Sequence, residues 1–173
     1  MAGNLSRRLE VAANVAIIVV AVLVCVVLVR TYLLGGSAKP QQQQSPAPAV
    51  GSKVSVSGVD WGKNGRTLVL VLQKSCHFCT ESAPFYQRLV RDTAGREGLR
   101  LVAVLPQQVE EGKKYLDDLG VSIDEVRQAS PNDLGVRGTP TILLVDGSST
   151  VTDAWVGKLP PEKEDEVLRR LKS

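Results

Sequence analysis

Cys76-His77-Phe78-Cys79 lies just beyond an apolar run, Thr67-Leu68-Val69-Leu70-Val71-Leu72, and opens a stretch with helical character. Two cysteines three apart at a strand-to-helix turn can close a small disulfide. The helix N-terminus favours negative charge, so the first cysteine is expected to have a lowered thiol pKa. This is the arrangement needed to exchange disulfides with another protein. The spacing alone is also that of a zinc knuckle. A metal site is not expected, because the third cysteine, Cys25, lies in the N-terminal apolar run and His77 is the single histidine; tetrahedral zinc needs four ligands.

The 173-residue chain divides sharply in composition. Val11 to Val29 carries no charge and is dense in Val, Ala, Ile and Leu, with Arg7 and Arg8 before it and Arg30 after it. A helix of that length just crosses a hydrocarbon core of about 30 Å. Residues 11–30 therefore read as a transmembrane signal anchor after a short tail, 1–10. Gly36-Ser37-Ala38 could serve as a cleavage site, but Arg30 and Tyr32-Leu33-Leu34 separate it from a run already long for a signal peptide. Cys25 reads as an apolar membrane residue. The short basic tail favours an inside N-terminus. The expected location is a single-pass membrane protein with its bulk outside the cytoplasm, in the periplasm if the cell is Gram-negative.

Residues 31–58 contain Gly35-Gly36, Gln41 to Gln44, Pro40, Pro46 and Pro48, a composition that suits a flexible linker. The net charge is +3, and three arginines flank the apolar run, so the remainder is nearly neutral. No basic patch with interleaved aromatics suggests nucleic-acid binding.

From Val59 to Ser173 strands and helices alternate. Strands are expected at Thr67–Gln73, Leu99–Leu105, Ser122–Val126, Thr141–Val145 and Val151–Val156. Helices are expected at Cys79–Asp92, with Pro84 inside, at Val109–Leu119, and from Pro160-Pro161 to Leu171. Ser130-Pro131 reads as the cap and first residue of one helical turn, and Asp146-Gly147 as a hairpin turn. The pattern predicts a mixed three-layer α/β domain.

Three features coincide: the CxxC after a strand, Pro84 five residues past Cys79, and Gly138-Thr139-Pro140-Thr141 just before a strand and hairpin. With Gly157 they resemble the thioredoxin superfamily across about Val54 to Ser173. The anchor and linker make the chain look more like the membrane-anchored, extracytoplasmic TlpA/ResA-like branch than cytosolic thioredoxin. The resemblance implies a thioredoxin-like α/β/α domain with a mixed central sheet. It implies Cys76 as nucleophile, Cys79 as resolving cysteine, and Thr139 with a cis Pro140 as the substrate-binding edge. His77 and Phe78 are then tuning residues within the motif. The resemblance implies no cofactor, and it implies protein dithiols or disulfides as substrates, with a membrane or extracytoplasmic redox partner. The reducing direction is slightly favoured, while His77 pulls towards oxidant.

The chain departs from the family at several points. Ser75, a helix N-cap type, stands where a tryptophan usually precedes the first cysteine. Leu70 stands where cytosolic thioredoxin has a buried acid, so that proton relay is absent. Ser82 stands where cytochrome-maturation reductases carry an acidic residue. Glu81 reads as a solvated first-turn residue, Lys158 as surface, and Trp61 and Trp155 as packing. The other readings are a redox-inactive thioredoxin-like scaffold and a thiol peroxidase. The intact motif opposes the first. Lys74-Ser75 ahead of Cys76 opposes the second, which calls for threonine and proline there.

Overall fold

The computed structural model describes residues 17–25 and 47–172. Residues 17–25 are helical and exposed. The rest of the expected anchor lies outside the described residues, and among those described no helix is long and apolar enough to cross a membrane. The described residues fall into two units, 17–25 in the first and 47–172 in the second.

The second unit is built on five strands: β1 (Arg66–Val71), β2 (Leu99–Leu105), β3 (Glu125–Gln128), β4 (Thr141–Asp146) and β5 (Val151–Val156). Their order is β3-β2-β1-β4-β5. β1 and β2, and β2 and β3, run parallel, while β4 is antiparallel to both β1 and β5. Central β1 is buried on both faces, which is why Leu68 to Leu72 is an unbroken apolar run rather than an alternating one. The third strand lies slightly later than expected: it covers Glu125–Gln128, and Ser122 to Asp124 precede it.

Helices α1 (His77–Glu81) and α2 (Ala83–Thr93) connect β1 to β2, α3 (Val109–Asp118) connects β2 to β3, and α4 (Pro161–Lys172) follows β5. The single helix expected after Cys79 is split at Ser82. Proline has no N–H to donate and its ring clashes with the carbonyl four residues back, here that of Thr80. Pro84 therefore sits in the first turn of a new helix instead of inside an old one. Ser82 closes α1 by donating its backbone N–H (3.1 Å) and its hydroxyl (2.8 Å) to the Phe78 carbonyl.

The expected α/β/α layering is not what forms. Phe85, Tyr86 and Leu89 of α2, Tyr115 and Leu116 of α3, and Val167, Leu168 and Leu171 of α4 all join one core cluster with Leu68, Leu70 and Leu72. Val69, Val71, Val102, Val104, Leu143 and Val145 point the other way, into a cluster closed by Ala47, Val54, Val56, Leu134 and Val136. The cause is topological. The β1–α2–β2 and β2–α3–β3 crossovers step in the same direction across the sheet, so right-handed connections place both helices on one face.

The opposite face is covered by extended chain. Residues 47–58 fall in the segment read as linker, yet they belong with the domain. Gly51 and Val54 donate backbone hydrogen bonds to the Val151 and Ser149 carbonyls (2.8 and 2.9 Å), and Lys53 bridges Thr150. Val54 and Val56 are buried while Ser55 and Ser57 are exposed, an alternation that suits a half-covered extended segment. A 3-10 turn, Pro131–Leu134, is fixed by Ser130 and Asp133 in a reciprocal capping box, as Ser130-Pro131 suggests.

Candidate functional site: a dithiol at the end of the central strand

Cys76 sits where the chain leaves β1 and enters α1. It is the N-cap residue itself, with extended backbone. Its Sγ accepts the Cys79 backbone N–H at 3.2 Å, one of the donors that every helix leaves unpaired at its start. The sequence makes Ser75 the obvious cap; the sulfur takes that role, and Ser75 instead accepts a hydrogen bond from Gln73 Nε2 (3.0 Å). The Cys76 thiol donates to the Thr139 carbonyl at 3.3 Å. One sulfur thus lies between a helix N-terminus and the loop before β4.

That loop is held from both ends. The Thr139–Pro140 bond is cis, as the resemblance implies. The Thr141 hydroxyl donates to the Gly138 carbonyl (2.7 Å), and the Gly157 N–H donates to the Pro140 carbonyl (2.7 Å). Gly157 has φ +81°, a conformation a residue with a Cβ rarely adopts.

The two cysteines, unbridged here, differ in access. Cys76 is half-buried and Cys79 is fully buried. Burial first, and the Cys76 sulfur second, push the Cys79 thiol up to about 12. A thiol that ionises with such difficulty is a poor first nucleophile. Access and geometry together make Cys76 the sulfur that meets a partner, with Cys79 behind it.

His77 and Phe78 lie on the outer turn of α1. Phe78 is 55% exposed, an unusual position for a large apolar ring in the folded unit. The two rings are 5.8 Å apart between centroids. His77 does not turn to Cys76: its Nε2 is 3.0 Å from Glu81 Oε1. Glu81 is more than a solvated first-turn residue, because its other oxygen is 3.0 Å from Lys158 Nζ. Lys158, then His77, holds the Glu81 carboxyl below the usual range. Sequence distance hid this contact, since Lys158 follows β5, 77 residues after Glu81.

Behind Cys79 lies a group of hydroxyls that the sequence reading passed over. The Thr80 and Tyr115 hydroxyls are 3.3 Å apart, and Tyr86 is buried in the same core cluster as Cys79. Trp155 packs on that cluster, with its Nε1 3.4 Å from Glu166 Oε1, and Trp61 packs on the opposite cluster.

A half-exposed sulfur backed by a buried one, facing a fixed loop carbonyl, defines a dithiol site on a mixed α/β scaffold. The chain belongs to the thioredoxin-like domain family, whose model matches residues 61–172. Among solved structures, the fold is similar to a Chlorobium tepidum protein assigned as thiol:disulfide interchange protein DsbE (20% identity, TM-score 0.57, covering 73% of this chain and 97% of that one). It is also similar to the thioredoxin domain of a thiol-disulfide oxidoreductase from Bacteroides vulgatus (16%, 0.57, 73% and 100%). A third is StoA from Bacillus subtilis (16%, 0.51, 72% and 97%). No curated protein sequence matches the chain.

Proposed function

We propose that this protein is a thiol-disulfide oxidoreductase that exchanges disulfides with other proteins through Cys76 and Cys79. The observation that carries this is the placement of the Cys76 sulfur: reachable from outside, stabilised by the Cys79 N–H, and 3.3 Å from the Thr139 carbonyl. The Cys76 thiolate attacks one sulfur of a substrate disulfide. A Cys76–substrate disulfide forms and the other substrate sulfur leaves as a thiol. Cys79 then attacks the Cys76 sulfur, the Cys76–Cys79 bond forms, and the second substrate thiol is released. The substrate gains two electrons and two protons, and the enzyme dithiol loses them. A cleft of about 340 Å³ between Gln73, Asn132, Arg137 and Thr139 runs beside the loop and gives an extended substrate segment a place to lie. The exposed Phe78 ring offers that segment an apolar contact.

The membrane tether belongs to this reading. The charge-free run from Val11 to Val29 supports an anchor, with the dithiol domain outside the cytoplasm and reset by a membrane or extracytoplasmic redox partner. The reducing direction is supported by the resemblance to the TlpA/ResA-like branch, while His77 within the motif pulls towards oxidant. The deciding measurement is the reduction potential of the Cys76–Cys79 pair in the full-length chain, equilibrated against glutathione and dithiothreitol. A value near about −270 mV supports a reductant, and one near about −120 mV assigns the oxidising direction instead. Absence of a reversible disulfide overturns the exchange reading.

A further inference from the structure

The second half of the exchange cycle poses a chemical difficulty. Cys79 must become a thiolate to attack Cys76, yet it is fully buried. Its own burial and the Cys76 sulfur raise its ionisation, while hydrogen bonds from the Gln73 backbone and the Thr139 side chain lower it; no carboxylate or ammonium is among these groups. An anion forming there depends on such hydrogen-bond donors, because water does not reach it.

Tyr86 is placed to be a further donor. It is 1% exposed and shares its core cluster with Cys79. Seven residues separate them, two turns along the paired helices α1 and α2, so both point towards the sheet. The Tyr86 hydroxyl is buried without a protein hydrogen-bond partner among the described residues. Ser82 is near enough to moderate its ionisation but does not meet hydrogen-bond geometry with it, and the Ser82 hydroxyl is donated to the Phe78 carbonyl. Leaving a buried hydroxyl unpaired costs stability, so an orphan in the core cluster of a reactive sulfur calls for a role in another state. Tyr115, the other tyrosine of the cluster, already has a partner in Thr80.

We propose that the Tyr86 hydroxyl donates a hydrogen bond to the Cys79 thiolate while Cys79 resolves the mixed disulfide. The inference rests on the exchange reading above. The Cys79 sulfur gives up its proton and attacks the Cys76 sulfur. The Cys76–substrate bond breaks, and the departing substrate sulfur takes the proton. Tyr86 keeps its own proton throughout: burial raises its ionisation far above the working range, so it serves as a neutral donor at any relevant pH.

The test is the two-step reaction of the reduced full-length chain with Ellman's reagent. The first thionitrobenzoate is released by Cys76 and the second by Cys79. In Tyr86→Phe the first phase stays within twofold of the parent and the second slows about tenfold, the scale of one hydrogen bond to a charged group. Its thermal midpoint is unchanged or slightly raised, since an unpaired hydroxyl has been removed. Tyr115→Phe leaves the second phase within twofold. An unchanged second phase in Tyr86→Phe overturns the proposal, as does equal slowing in both variants, which would reflect general polarity. A parent chain with no second phase defeats the exchange reading instead, and that failure is recognised because no substitution is involved.

Discussion

The two faces of the central sheet are built from the same strands and differ in almost everything else. On one face Leu68, Leu70 and Leu72 meet aromatic rings, three helices and Cys79. On the other Val69, Val71, Val102, Val104 and Val145 meet Leu134, Val136 and the extended segment bearing Val54 and Val56. The second is an aliphatic seal edged by Trp61. The first contains the buried sulfur and tyrosine hydroxyls, and its helix α1 presents Cys76 at the strand end. Chemistry is confined to the helical face because a helix N-terminus supplies directed N–H groups, whereas a paired strand spends its own on the ladder.

The largest test of this division is Cys76→Ser. Disulfide exchange, followed as reduction of a protein disulfide, should be lost entirely, while the thermal midpoint stays close to the parent because Cys76 is only half-buried. Exchange that survives the substitution would remove the helical face's claim to the chemistry.

Next come paired cavities, one on each face. Leu70→Ala and Leu143→Ala each truncate a fully buried leucine and should each cost about 2–5 kcal/mol in urea unfolding. Only Leu70→Ala, which opens the cluster holding Cys79, should alter the resolving step per folded molecule. Equal kinetic effects from both would mean that the site senses overall stability rather than one face.

The split between the faces also shows where sequence reasoning reaches its limit. Strong strands were legible: Leu99–Leu105 and Val151–Val156 lie where their apolar runs place them. The dithiol and the Thr139–Pro140 loop were legible as motifs, and Ser130 as a cap. The one-sided helices were not read, although two successive right-handed crossovers in one direction require them. Val54-Ser55-Val56-Ser57 carried a period-two signal that the surrounding Gln, Pro and Gly composition masked. Tyr86 and Tyr115 join the Cys79 cluster, and Lys158 meets Glu81, only through tertiary packing of separate elements, and nothing in their own neighbourhoods in sequence announces it.

A smaller effect follows from pH. Cys79 is pushed from an ordinary value of 9.0 up to about 12 by burial, so the folded dithiol holds its proton where the unfolded chain releases one. The resulting stability is complete below about pH 9 and is lost as pH rises towards about 12. Urea midpoints of the reduced protein should therefore fall across that interval. The fall should shrink in Cys79→Ala, measured in a background without the competing Cys76 thiol. A fall of undiminished size in Cys79→Ala would place the titrating group elsewhere.

The smallest effect concerns the rim of the helical face. Lys158 is the main cause of the lowered Glu81 carboxyl, and His77 adds to it. A depressed carboxyl contributes stability above its unfolded pKa and loses it as pH falls through the folded value. Lys158→Gln should therefore move the Glu81 titration upward, towards the ordinary 4.5, in carboxyl-detected NMR. Both partners are well exposed, so solvent and salt screen the pair and the unfolding midpoint near neutrality should barely move. The first, Cys76-dependent phase of exchange should likewise stay within twofold, because the Cys76 sulfur is held by the Cys79 N–H and the Thr139 carbonyl and by neither Lys158 nor Glu81. A large loss in that phase would show that the outer turn of α1, and not only its buried side, governs the sulfur. The boundary between reactive and passive surface would then run further out than the core clusters place it.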